Sequence, residues 1–202
     1  MVQVKKNEVR DAILNSAREL FSSHGYHETK LTAIAVKAKV GVGNIYSYFP
    51  SKLHLLYEIY RPWFEGWLID VEAHVRTARG PRKKLQRLIV SLWHDFPAVN
   101  PGLANSLMEA LASNHTNPRK PDDLLQWTEQ RLTAILKGIL PPDRMHWLEN
   151  NTLSHILLMA QDGFVINYRW GDVRAIEAVA ATMTGALLGS TGKVSRVGGP
   201  RI

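Results

Sequence analysis

The segment 29–52, TKLTAIAVKAKVGVGNIYSYFPSK, constrains the chain more than any other, because its residues suit two short helices around a tight turn followed by an aromatic anchor. Thr29 is a good N-cap, Leu31, Ile34 and Ala35 give an apolar face at helical spacing, and Ala38-Lys39-Val40-Gly41 reads as the turn. In the shorter second helix Val42, Ile45 and Phe49 face inward. Gly43, Asn44 and Ser47 stay open, with Tyr48 beside them, as on a helix that presents small polar groups to base edges.

Upstream, residues 8–24 form an amphipathic pattern with Val9, Ala12, Ile13, Ala17, Leu20 and Phe21 on one side, and Gly25 fits the left-handed residue that closes a helix. Downstream, Ser51 is a natural cap for a long helix over 52–77, which Pro62 is expected to kink or split. Arg79-Gly80-Pro81 breaks the chain before a helix that starts near Arg82. Residues 97–102 read as a loop, 103–112 as a short helix and 113–121 as a polar, disordered connection. Asp122 and Asp123 favour the start of a helix that ends near Leu140. Two helices remain, over 144–168 and 172–188, with Asp172 capping the second. No segment has strand patterning and no repeat is visible, so the expected fold is all-α with about nine helices. The expected division is a three-helix DNA-binding head over 1–52, a helical body over 53–190 and a mobile tail over 191–202, whose Lys193, Arg196 and Arg201 suit weak phosphate contact.

Charge supports that division. The 202-residue chain has a formal charge of +7, and eight Lys/Arg against four acids up to Lys52 place +4 of it in the head, leaving 17 bases and 14 acids, +3, for the rest. Nucleic acid is the commonest partner of such a basic head. With no cysteine, disulfides, thiolate metal sites and cysteine nucleophiles are excluded, which suits the cytoplasm. No leader-like N-terminus or membrane-length apolar run is present, so no membrane partner is expected. His94-Asp95 and His155 lack a compact ligand set or nucleophile motif, so no metal, cofactor or catalytic site is expected.

Ala17, Leu20-Phe21, Gly25-Tyr26, Thr29, Leu31, Ile34-Ala35, Val40, Gly43, Ile45-Tyr46, Tyr48-Phe49 and Ser51-Lys52, at this combined spacing, resemble the tetracycline-repressor (TetR) family of bacterial transcription regulators. The body resembles that family only in length and helical order. Two positions depart from the pattern: Lys39 stands where the family commonly has glycine, and Gly41 where a serine often caps the recognition helix. The resemblance implies a homodimeric repressor that binds pseudo-palindromic double-stranded operator DNA and is released by a small-molecule effector.

Thr29 and Lys30 stand at a helix start, where backbone amides favour phosphate, although plain capping explains Thr29 equally well. Val42, Gly43, Asn44 and Ser47 are the groove-facing candidates, against a merely solvated helix surface. The resemblance assigns phosphate contacts to Tyr46, Tyr48 and Lys52, with a packed core aromatic as the alternative for Tyr46. In the body, Trp63, Trp67, His74, Trp93, Phe96, Asn105, Met108, Glu109, Trp127, Gln161 and Phe164 are candidates to line a pocket for an aromatic or lipophilic effector, although any one aromatic at helical spacing is more often simple core. Leu153, Ile156, Leu157, Ile176, Val179, Ala180, Met183 and Leu187 on the last two helices are the dimerisation candidates implied by the resemblance. The rival readings are a ligand-independent regulator or activator with a solid core, and an all-α enzyme that carries such a head by accident.

Overall fold

A computed structural model describes residues 2–113, 123–171 and 175–189. The expectations placed on Asp122, Asp172, the residues 114–121 and the tail 191–202 therefore lie outside the described residues. Every described element is helical: α1 (Val2–Glu28), α2 (Leu31–Ala38), α3 (Val42–Tyr48), α4 (Lys52–Arg76), α5 (Gly80–Val90), α6 (Phe96–Val99), α7 (Pro101–Ser113), α8 (Leu124–Lys137), α9 (Thr152–Arg169) and α10 (Ile176–Leu188). A π-type turn at Ser91–Asp95 joins α5 to α6, and a 3₁₀ segment, Pro142–Asn151, precedes α9.

The head closes as its apolar spacing requires. Ile13, Ala17 and Phe21 of α1 pack with Ile34 and Ala35 of α2, Ile45 of α3 and the anchor Phe49, all buried in one continuous core. Gly25 breaks the first helix at φ 78°, so Tyr26 can turn back and stack on Phe21, with ring centroids 5.9 Å apart. Two ion pairs cross the outside of the head, Lys37 to Glu19 at 2.7 Å and Arg10 to Glu58 of α4.

Three expectations about helix boundaries change, and of the kink or split expected at Pro62 the split is removed. Thr29 does not cap α2: Lys30 holds the N-cap position, while the Thr29 hydroxyl donates back to the carbonyls of Gly25 (2.7 Å) and Leu20 (3.1 Å). Pro62 does not split α4, which runs unbroken from its Ser51 cap, where the Ser51 hydroxyl accepts from the His54 amide at 3.2 Å. Residues 97–102 are mostly helix rather than loop, because Pro97 and Pro101 each fall in the first turn of a helix, where a missing N–H leaves no bond unmade. The helix expected over 144–168 begins only at Thr152, since Asn150 (φ 51°) and Asn151 (φ 58°) adopt the left-handed conformation that asparagine tolerates.

Head and body meet along α1 and α7. Gly102 allows the approach: a Cβ there would lie 1.8 Å from the Ser22 carbonyl oxygen. Ser106 on the next turn donates to the Phe21 carbonyl at 3.0 Å.

Candidate DNA-reading face and effector cavity

On α3, Ile45 is buried while Gly43, Asn44, Tyr46 and Ser47 are exposed, so the one apolar anchor turns the polar residues outward. Tyr46 is 56% exposed, which removes the packed-aromatic alternative for it. Ser47 returns its hydroxyl to the Gly43 carbonyl at 3.1 Å. Val42 and Tyr48 are half-buried against the head core. Lys30 is exposed, but Thr29 is only 2% exposed with its hydroxyl bonded inside the head, so its side chain is a structural clasp. Sequence reasoning passed over Val36, which stands 80% exposed on the side of α2 away from Ile34, Ala35 and Ala38. Its place outside the 34–35–38 face was the available signal.

Lys52 begins α4 with its ammonium 4.2 Å from the centre of the Tyr26 ring and 3.4 Å from the His27 carbonyl oxygen. Burial lowers its pKa, partly offset by Glu109 and Glu28. Glu109 itself accepts from the backbone amides of Tyr26 (2.9 Å) and His27 (3.2 Å) and pairs with Arg169 at the end of α9 (2.9 Å). Burial alone would raise its carboxyl, but the amides and Arg169 outweigh it and hold the group below the usual carboxylate range. Glu109, expected in the pocket, is thus a joint between head, α7 and α9.

A cavity of about 490 Å³ opens between α4, α7, α8 and α9. Phe64, Leu107, Met108, Leu124 and Leu158 form much of its wall, and Tyr57, Tyr60, Gln161 and Asp162 bring polar groups to it. Of the residues expected in a pocket, Met108 and Gln161 line this cavity. Trp63, Trp67 and Phe96 instead pack with Phe64 in an aromatic cluster, with the Trp67 and Phe96 centroids 4.7 Å apart. Trp93 stacks on Phe164 at 5.0 Å and donates its indole N–H to the Leu157 carbonyl. His74 is exposed, Trp127 packs against the core, and neither they nor Asn105 and Glu109 line the cavity. Around this cavity these aromatics pack as core, large flat rings filling space well against one another.

The dimerisation candidates divide in a similar way. Leu153, Leu157, Ile176, Ala180 and Leu187 are buried within the chain, and Val179 and Met183 are half-buried against its core. Ile156 alone is exposed. It begins a stripe on α9 that continues through Ile166, 51% exposed, to Trp170, 84% exposed. On α10 the open positions are the small Ala178, Ala181 and Ala186 with Glu177 and Thr182. His94 bonds Asp95 at 3.0 Å and His155 bonds Glu129 at 2.7 Å, and among the described residues no group of three metal-ligating side chains comes together. No described helix is long and apolar enough to cross a membrane.

A helix-turn-helix head docked on a helical body with a cavity between its helices defines a class of fold, the all-helical helix-turn-helix protein. Residues 13–59 match the family model described as bacterial regulatory proteins, tetR family. The chain is 32% identical to the transcriptional repressor KstR of Rhodococcus jostii over 54% of its own length and 51% of KstR, so that match spans about half of the relative. It is 28% identical to the transcriptional regulator UidR of Escherichia coli over 70% of this chain and 74% of UidR. Thermus thermophilus FadR, a repressor solved with lauroyl-CoA, shares the fold with a TM-score of 0.63 and 24% identity, covering 95% of this chain and all 100% of that one. Residues 13–59 of the head therefore carry the domain that marks the tetR family of bacterial regulatory proteins.

Proposed function

We propose that the protein is a repressor that binds pseudo-palindromic operator DNA as a homodimer and leaves it when a lipophilic small molecule enters the body. The observation that carries this reading is α3, whose buried Ile45 turns Gly43, Asn44, Tyr46 and Ser47 outward beside the exposed Lys30. Asn44 reads a base edge, and Lys30, Tyr46, Tyr48 and Lys52 hold phosphates. In the free head the Lys52 ammonium rests on Tyr26, so it must leave that ring to reach DNA. The cavity favours a ligand-responsive body over a solid one. FadR's complex with lauroyl-CoA supports a lipophilic effector in a body of this shape.

The dimer reading rests on the exposed residues Ile156, Ile166 and Trp170 along α9 and on the small exposed residues of α10, which suit close helix packing across a two-fold axis. Two elements connect the cavity to the head. Helix α4 lines it with Tyr57, Tyr60 and Phe64 and carries Lys52 at its other end, with Pro62 as the lever; α7 lines it with Leu107 and Met108 and holds the head through Gly102 and Glu109. A ligand acts by favouring a body conformation that fits the operator worse.

Gel shift against the DNA flanking its own coding region tests the reading, and capture of no such DNA overturns it. Tyr48→Phe and Lys52→Ala weaken binding to every sequence, whereas Asn44→Ala changes sequence preference; an equal loss on all sequences removes the base-reading role. Pro62→Ala with unchanged operator affinity and ligand response removes the lever. Ile166→Glu yields a monomer in sedimentation, and an unchanged dimer refutes that face.

A further inference from the structure

The polar side of the cavity carries acceptors. Gln161 is 3% exposed and its side-chain oxygen has no hydrogen-bond partner, an unfavourable arrangement unless a ligand supplies a donor. Asp162, the next residue, also lines the cavity and has no hydrogen bond or ion pair among the described residues. Burial pushes its carboxyl up to about 6. The same burial, with Asp162 as a further negative neighbour, raises Tyr60 across the cavity well above its ordinary value. Two more carboxylates, Asp123 and Glu129, line the wall, but each already has a partner, Arg61 at 3.0 Å and His155 at 2.7 Å. Among the described residues that line the cavity there is no lysine, arginine or histidine.

Resting on the regulatory reading above, the geometry points to an effector with an apolar body and a protonated amine head, held by the Gln161 side-chain oxygen and the Asp162 carboxylate. An ammonium supplies several N–H donors where the wall offers acceptors, and its charge neutralises Asp162, the carboxylate without a partner among the described lining residues. A carboxylate or phosphate head at the same place would set one anion against another, with no cation among the described lining residues to separate them. The apolar body lies against Phe64, Leu107, Met108 and Leu158. Because the amine holds Asp162 ionised, binding strengthens as pH rises through the Asp162 pKa and weakens below it. The titratable and charged groups facing Asp162 across the cavity are Tyr57 and Tyr60 of α4 and Asp123 and Glu129 at α8, with Arg61 on Asp123 and His155 on Glu129.

Titration calorimetry on the full chain, with decylamine, decanol and decanoate below their micelle concentrations and lauroyl-CoA as the anionic rival, tests the assignment. Decylamine is expected to bind roughly tenfold tighter than decanol at about pH 7.5, with decanoate weakest, and to lose that advantage near pH 5. Asp162→Asn removes the preference for the amine and leaves decanol within about twofold, which also shows that the variant has folded. Tighter binding of decanoate or lauroyl-CoA than of decylamine, or an amine preference that survives Asp162→Asn, overturns the ligand class. Gel shift on the same samples separates the two proposals. If lauroyl-CoA releases bound DNA and decylamine neither binds nor releases it, the regulatory reading stands and the amine assignment falls. If decylamine binds as expected and no flanking DNA is captured, the regulatory reading falls and the amine assignment stands.

Discussion

The head and the body solve the same packing problem with different tolerance. In the head three helices share one small core, and nearly every inward residue, Ile13, Phe21, Ile34, Ile45 and Phe49, is buried at a position its helical period dictates. The body has more helices than it needs to bury any one of them, so a ring such as Trp67 can face a cavity or another ring, and here it packs on Phe96. A small core thus leaves one arrangement, whereas a large one leaves room for a cavity whose walls are chosen by how helices from distant parts of the chain happen to cross.

The joint between the two regions is where the comparison can be broken most sharply. Gly102→Ala drives a methyl into the Ser22 carbonyl and is expected to destabilise the protein by about 3 kcal/mol or more in chemical denaturation, because backbone faces backbone and neither side can yield. A loss below about 1 kcal/mol would mean that head and body part easily. Next in size is Glu109→Gln, which keeps the shape but weakens the bonds to Tyr26, His27 and Arg169, for a loss of about 1–2 kcal/mol near neutral pH. The Glu109 carboxyl is depressed in the folded protein, so its contribution is present above the unfolded carboxylate pKa and lost as pH falls through the folded one. The difference between wild type and Glu109→Gln in thermal melts should therefore shrink as the solution is acidified.

Asp162 tests the body with the opposite sign. Its carboxyl is raised to about 6, so the folded state favours the protonated form and loses stability as pH climbs from the unfolded value through that range. Asp162→Asn is expected to raise the melting temperature at neutral pH and to have little effect below about pH 4, where both states hold the proton. Within the head, Lys39 occupies the left-handed region at φ 57°, so Lys39→Gly should stabilise by roughly 0.5–1 kcal/mol, with the flexibility that glycine gives the unfolded chain taking back part of the relief. The smallest effect is that of Gly41→Ser. Open space surrounds the added Cβ and the new hydroxyl can accept from the first turn of α3, which adds a few tenths of a kcal/mol.

The head was legible because its signals are local. Gly25 closes a helix, Ser51 caps one, and Ile45 with Phe49 names the buried side of α3, each within a turn or two of the feature it controls. Even there Thr29 misleads, since its hydroxyl chose carbonyls of the preceding helix that lie close only after Gly25 has turned the chain. In the body, Pro97 and Pro101 read as loop when they are first-turn residues, and Asn150-Asn151 carries a break that helical periodicity runs straight through.

The sequence by itself determined that this chain is helical throughout its described length, that its basic excess lies at one end and that a helix-turn-helix stands there, because helical period, caps and charge act over a few residues. Only the tertiary structure decided that Glu109 joins the head to the body, that Trp63 and Trp67 pack on Phe96 and that Gln161 and Asp162 face a cavity. Those outcomes depend on where helices far apart in the chain cross, and the crossing is set by the packing of all of them together.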